Sequence, residues 1–296
     1  MVFKGFLLTM FFMYFSERMA KNMGLLNVFR KRVVNKGVIP ETKLCITGLN
    51  NSVNQSDCKK IITLSPGGVK GFYVMGLCKY IKTNYDLSNY VFSGASAGSW
   101  NSLVLCYKGS IIDIEKEILD SIPDSSSTLQ DLEMQLKNKI LEKYKTEDFE
   151  LDKLFVGTTV FEKFKFKTVI YSNFSSLEDA VDCCVASSHI PFITGGFKAK
   201  YKGLATFDGG FSEFPYLNNN ISTIHLTPSI WKSDLKTYED ISTKIKTKNT
   251  IKTLLKRGYD DAVDNKDILD KMFGNKNNSE DNIENNHENN KKTLVK

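Results

Sequence analysis

The chain has 296 residues, of which 41% are apolar and 25% charged. That composition suits one large packed domain or two small ones, and it excludes global disorder, a collagen-like chain and a multi-span membrane protein. The formal charge is +6; residues 1–40 hold seven basic side chains against one acidic, which accounts for all of it, so residues 41–296 sum to zero, which argues against a nucleic-acid footprint spread over a folded domain.

The chain opens on an apolar run, Gly5 to Phe15, too short to span a bilayer as a helix. A basic stretch up to Arg30-Lys31-Arg32 follows it. An apolar wedge beside cationic residues suits the surface of an anionic membrane; a helix packed on the domain and a targeting signal are the other readings of this segment. Residues 1–40 are therefore set apart from a domain expected over 41–273. The far end, 274–296, is rich in Asn and nearly free of apolar residues, and is expected to be a disordered tail.

Within the domain, short apolar runs alternate with helical patterns. Lys59 to Leu64 reads as a buried strand, followed by the turn Ser65-Pro66-Gly67-Gly68. Val74, Leu77, Cys78 and Ile81 then recur at helical spacing, and Tyr90-Val91-Phe92 is the next strand. This is a βαβ unit, which predicts parallel strands and a right-handed crossover. Ile111, Ile114, Ile118 and Ile122 mark an amphipathic helix, and the region from about 110 to 150 reads as largely helical, a candidate lid. Phe164 to Ile170 begins with alternating apolar and basic residues, a half-exposed strand. Ser175 and Glu178 form a capping box opening a helix to about His189, halted before Pro191. Ser222 to Leu226 is a last strand, and 240–273 reads as surface helices.

Six cysteines, Cys45, Cys58, Cys78, Cys106, Cys183 and Cys184, show no zinc-like spacing. They point to a reducing compartment without a disulfide framework, hence a cytoplasmic protein or one peripheral on an intracellular membrane. No metal-ligand cluster is visible, and no cofactor is expected.

Three motifs carry chemistry. Gly94-Ala95-Ser96-Ala97-Gly98 follows a strand and precedes a helical stretch, the context of a nucleophile elbow. Small neighbours let the turn close with Ser96 at its apex, and the helix N-terminus behind it favours developing negative charge. The loop Pro66-Gly67-Gly68-Val69-Lys70-Gly71 lacks the patterns of a phosphate loop; beside an elbow it fits an oxyanion hole, with the N–H groups of Gly67 and Gly68 as donors. Asp208-Gly209-Gly210 ends a strand-like run and, taken alone, is an ordinary turn. A serine nucleophile also needs a base, and the chain has three histidines. His287 lies in the tail, His189 reads as structural at a helix end, and His225, inside an apolar run, is either a core residue or the third member of a Ser–His–Asp triad.

In this order the three motifs resemble the patatin-like phospholipase family over roughly residues 58–230, and Ala186-Ser187-Ser188-His189-Ile190-Pro191 resembles the family's segment upstream of its Asp motif. The resemblance implies a three-layer α/β/α fold with a mainly parallel central sheet and a Ser–Asp dyad without histidine. By position, Ser96 would be the nucleophile, Asp208 the base, and Gly67 and Gly68 the oxyanion donors. Gly71, Gly94, Gly98, Gly209 and Gly210 match motif glycines, and Lys70 matches a common basic position, a candidate headgroup contact. The implied substrate is a phospholipid or another acyl lipid, hydrolysed through an acyl-enzyme. One departure stands out: Pro66 occupies the place where the family's loop opens on glycine, and proline has no N–H to donate. It motivates a second reading, a catalytically silent lipid-binding or membrane-scaffold protein of the same fold.

Overall fold

The computed structural model describes residues 45–46, 60–122, 128–212, 214–217, 223–231 and 247–274. The N-terminal segment 1–40, with its expected membrane contact, and the Asn-rich tail from 275 lie outside them.

Apolar runs of four to six residues, Lys60–Leu64 (β2) and Tyr90–Ala95 (β3), make the centre of the sheet. Every residue of β3 is buried, as a strand covered on both faces requires. Both pair in parallel, with Ile62 opposite Phe92 and Leu64 opposite Gly94. Thr223–Leu226 (β8) joins the free edge of β2, also in parallel. On the other side β3 pairs in parallel with Leu154–Glu162 (β4). Lys165–Tyr171 (β5) turns back antiparallel along β4, and Cys45–Ile46 (β1) lies parallel beside β5. The order is β1-β5-β4-β3-β2-β8. Strand β4 is long enough to serve two partners on one edge. Its first half pairs with β3, and its second half, from Thr159 to Phe161, pairs antiparallel with Leu204–Phe207 (β7), whose other neighbour is Ala199–Tyr201 (β6).

Helices flank this mostly parallel sheet. Gly71–Asn84 (α1) and Ala97–Cys106 (α2) are the crossovers that follow β2 and β3. Ile111–Ser121 (α3) is capped by the Ser110 hydroxyl and buries Ile111, Ile114 and Ile118, the stripe legible in the sequence. Leu129–Lys143 (α4) opens on a capping box between Thr128 and Asp131. Leu177–Ser187 (α5) is capped by Ser176, which accepts from the Asp179 N–H, one residue later than the predicted Ser175 and Glu178 box. Ser175 instead donates its own N–H to the Asp179 carboxylate. The predicted helix end near His189 also moves, to Ser187. The main core lies between the helices and one face of the sheet, where Leu64, Phe92, Leu103 and Leu154 meet Val74, Leu77 and Val181. Ile61, Val91 and Leu217 pack together on the opposite face.

Of the expected surface helices over 240–273, residues 240–246 lie outside the described residues, and the two helices that follow are amphipathic, exposed on one side and buried along a stripe. Lys248–Asp264 (α6) and Lys266–Phe273 (α7) bury Ile251, Leu254, Leu255, Ala262 and Leu269. Helix α6 lies directly on α1 through two glycines: a Cβ on Gly76 would stand 2.1 Å from the Leu255 carbonyl oxygen, and one on Gly258 would stand 1.9 Å from that of Tyr73. The Tyr73 hydroxyl donates to Asp261 at 2.6 Å and the Tyr85 hydroxyl to Asp270 at 2.8 Å, fixing both helices against α1 and its end. Read along the chain, 248–273 is polar enough to look exposed; the apolar stripe is narrow because glycine, not a large side chain, makes the closest contact. No helix among the described residues is long and apolar enough to cross a membrane.

Gly258→Ala forces backbone apart at this crossing and is expected to lower stability by about 1–3 kcal/mol, read as a fall in the urea midpoint at unchanged slope.

Candidate active site

Strand β3 ends at Ala95 and helix α2 begins at Ala97, so one residue makes the whole strand-to-helix turn. That residue is Ser96, at φ 53° and ψ −131°, a strained conformation for a side chain larger than glycine. The turn closes only because its neighbours are small. A Cβ on Gly94 would stand 2.1 Å from the Gly98 carbonyl oxygen, and one on Gly98 would stand 2.0 Å from that of Leu64. The elbow is thus folded against itself and against the end of β2.

Strain of this kind persists only where surrounding bonds hold it. The Ser96 N–H donates to Ser187 Oγ at 2.8 Å, and the Ser187 hydroxyl donates to the Gly157 carbonyl at 2.7 Å. Ser187, the last residue of α5, therefore ties the elbow to β4. The Ser99 hydroxyl donates to the Ser96 carbonyl at 2.6 Å.

The Ser96 hydroxyl donates to Asp208 Oδ2 at 2.6 Å. Asp208 directly follows β7 and is fixed by further bonds, among them one from the Phe211 N–H to its carbonyl at 3.1 Å. Its Oδ1 accepts from the Gly210 N–H at 2.6 Å, its N–H donates to the His189 carbonyl at 2.8 Å, and its carbonyl accepts from Thr159 Oγ1 at 2.9 Å. Gly209 allows this turn to sit flat on β4, since a Cβ there would meet the Gly157 carbonyl oxygen at 2.2 Å. Both Ser96 and Asp208 are buried, at 6% and 4% exposure. Burial pushes the Asp208 carboxyl up to about 6, against the opposing pull of the Ser96 and Gly210 hydrogen bonds.

The loop before α1 lies beside this pair. Gly68, at φ 51°, starts a single turn of 3-10 helix through Lys70, and the Lys70 N–H donates to the Gly67 carbonyl. The N–H groups of Gly67 and Gly68 donate to no protein acceptor among the described residues. The Pro66 ring stands against Gly210, whose added Cβ would lie 3.0 Å from the Pro66 Cβ. Gly71, the first residue of α1, abuts Ala97 of the elbow. Lys70 precedes it, half-buried, at the helix start.

The two remaining histidines occupy other positions. His225, on β8, has Nδ1 2.7 Å from Thr63 Oγ1 and its ring edge-on to Tyr216. His189 contributes its backbone carbonyl to Asp208, while its buried ring is held below its ordinary pKa by desolvation.

One acidic residue near the pair carries no signal of its own in the sequence. Glu133, on α4, is pushed up to about 8, first by burial and then by the charge of Asp208; the Ser188 hydroxyl and the Trp100 indole oppose the shift. Trp100 donates its indole N–H to Ser188 Oγ at 3.0 Å, which links α2 to the end of α5 beneath Glu133. Nothing in the local pattern Leu132-Glu133-Met134 sets this glutamate apart from the other charged residues of α4. The Lys137–Asp182 ion pair at 2.6 Å and the Lys139–Glu117 pair at 3.7 Å hold α4 on its neighbours α5 and α3.

A strained serine at a strand-to-helix elbow, hydrogen-bonded to a buried carboxylate at one end of a mostly parallel sheet, places the chain in the class of α/β folds with a nucleophile-elbow geometry. The comparisons narrow that class. The family described as patatin-like phospholipase matches residues 62–221, more than half of the chain, and the chain belongs to that family. A solved structure, VipD from Legionella pneumophila, matches at 15% identity with a TM-score of 0.32, covering 57% of this chain and 49% of that one. The chain thus spans about half the length of VipD. No curated protein matches the sequence.

Ser187→Ala strands the Ser96 N–H and the Gly157 carbonyl in a buried site. It is expected to cost about 1–3 kcal/mol of stability in chemical denaturation.

Proposed function

We propose that the protein hydrolyses the acyl esters of lipids, with Ser96 as nucleophile, Asp208 as base and the Gly67 and Gly68 N–H groups as oxyanion donors. The general activity follows from family membership. The observation that carries the assignment of residues is the 2.6 Å hydrogen bond from Ser96 Oγ to Asp208 Oδ2, with no group between them.

A free aspartate near pKa 3.9 is a poor acceptor for an alcohol proton. Burial moves Asp208 to about 6, closer to what a base working at neutral pH requires while leaving it ionised there. As Ser96 Oγ attacks the ester carbonyl, its proton passes to Asp208 Oδ2, the carbonyl oxygen becomes an oxyanion, and collapse of that intermediate expels the alcohol with the proton. The acyl group is left on Ser96. Water, giving its proton to the same carboxylate, then releases the fatty acid. The unpartnered amides of Gly67 and Gly68 supply donors that need no reorganisation. Pro66 precedes both of them, so its missing N–H is not one of the donors the reaction uses. Since Ser96 meets Asp208 directly and His225 is engaged with Thr63, the reading needs no histidine.

Ser96→Ala and Asp208→Asn are each expected to lower ester turnover by about a thousandfold or more, with circular dichroism unchanged. A fluorophosphonate probe is expected to label the wild type at Ser96. A well-folded protein that resists the probe supports the silent lipid-binding reading instead.

The pH dependence has a definite sign. Asp208 must be ionised to act, so kcat/KM rises with pH and levels off above about 6. Its folded pKa lies above the unfolded value near 3.8, so the native state holds the proton more tightly, and Asp208 withdraws stability as pH climbs from about 4 to 6. Asp208→Asn removes that cost. The inactive variant is expected to be more stable than wild type at pH 7.5, by on the order of 1–3 kcal/mol, and equal to it near pH 4.

A further inference from the structure

The antiparallel corner of the sheet carries an exposed surface that the chemistry at Ser96 does not use. Glu162 pairs with Lys165 across the β4–β5 hairpin, which leaves Lys163 and Phe164 as a two-residue loop. Both have positive φ, 49° and 61°, the geometry of a type I′ turn. That turn is ordinarily made by Asn-Gly; here a lysine and a phenylalanine hold the strained conformation. Phe164 is 94% exposed, and its one ring contact among the described residues is the edge of Phe161 at 6.4 Å. Packing within the protein therefore does not offset the strain. The same combination recurs in the loop after His189. Phe192 has φ 65° and is 54% exposed, and it leans on Phe197, which is 40% exposed.

The two loops are joined by a run of packed rings that passes through the buried Phe207. Phe164 touches Phe161, Phe161 touches Phe166, Phe166 touches Phe207, and Phe207 touches Phe197, with centroids 5.0–6.4 Å apart. Phe207 is the residue before Asp208, so the run of rings reaches from the hairpin tip to the dyad. Its surroundings are cationic. Between 161–168 and 190–207 the chain has six lysines and one acid, Glu162, which pairs with Lys167 at 2.7 Å. Lys202 pairs with Asp179 at 3.7 Å. Lys163, Lys165, Lys198 and Lys200 form no ion pair among the described residues.

Exposed aromatic rings ringed by unpaired lysines match a surface that is apolar within and negatively charged at its face. We propose that the β4–β5 hairpin tip and the 190–200 loop together dock the protein on an anionic phospholipid bilayer, with Phe164, Phe192 and Phe197 entering the interface and the four lysines meeting headgroup phosphates. A protein partner would also cover exposed rings, but the lysines outnumber the nearby acids: Glu162 and Asp179 are each taken by one lysine, Asp182 by Lys137, and the four lysines left over favour phosphate. The docking is separate from catalysis: it is measured on protein that does not turn over, so it stands or falls independently of the hydrolase reading.

The test uses the full chain carrying Ser96→Ala, so that vesicles stay intact, in co-sedimentation with phosphatidylcholine vesicles containing about 30% phosphatidylserine. The expected result is binding that falls about tenfold in Phe164→Ser with Phe192→Ser, and by a similar factor in Lys163→Glu with Lys165→Glu. Raising salt from about 0.1 M to about 1 M shortens screening from about 10 Å to about 3 Å and is expected to weaken binding of the parent. Because these residues are exposed, thermal melts of the variants should match the parent. A second readout is independent of affinity: in Phe164→Trp the tryptophan emission should shift to the blue when vesicles are added. Unchanged binding by the phenylalanine pair, which would leave the N-terminal segment as the contact, overturns the proposal. So does equal binding to pure phosphatidylcholine, or an unshifted Phe164→Trp spectrum with vesicles in excess.

Discussion

A hydrogen bond between two buried side chains 112 residues apart governs the architecture. To bring Ser96 Oγ within 2.6 Å of Asp208 Oδ2, β3 must end in a one-residue elbow and β7 must end in a turn flat against β4. Neither condition tolerates bulk. Gly94, Gly98 and Gly209 each stand where a Cβ would overlap backbone, so the small residues of the motifs are steric requirements of the turns rather than features of the chemistry. The same packing removes Asp208 from water, and that desolvation is what raises its basicity. The fold and the raised pKa of this carboxylate therefore share one cause.

Helix α5 joins these parts from behind. Its capped N-terminus fixes its start, and its final residue, Ser187, bonds both the elbow and β4. The next residues, Ser188 and His189, reach the Trp100 indole and the Asp208 N–H. The stretch Ala186 to Pro191 acts as a brace between two motifs that the chain order keeps far apart.

Much of this was legible in the sequence because its signals are local. Strands β2 and β3, helix α1 and the elbow follow from apolar runs, periodicity and glycine spacing, which depend on neighbours a few residues away. The capping residue of α5 slipped by one because Ser175 and Ser176 both offer hydroxyls and Asp179 accepts from Ser175 as well. What escaped was long-range. The burial of α6 rests on Gly258 meeting α1, nearly two hundred residues earlier, and glycine leaves no mark in an apolar stripe. Glu133 escaped for the same reason: its environment is made by Trp100, Ser188 and Asp208, from three other segments. The aromatic run was half visible, as alternating phenylalanine and lysine in 164–167, but its continuation into Phe197 and Phe192 needed the antiparallel corner.

The place of β2 in the sheet bears on how the chain folds. One edge of β2 is satisfied early, by β3 some thirty residues on, but the other waits for β8, more than 150 residues later. Helix α6, which closes over α1, arrives later still and lies outside the stretch that matches the family. During synthesis, a buried apolar strand therefore keeps an open edge until most of the polypeptide has emerged, a state exposed to intermolecular pairing. Contacts so distant in sequence make folding slow, so shortening the chain before residue 265 would take away the last clasp on the core and leave expression as the first property to fail.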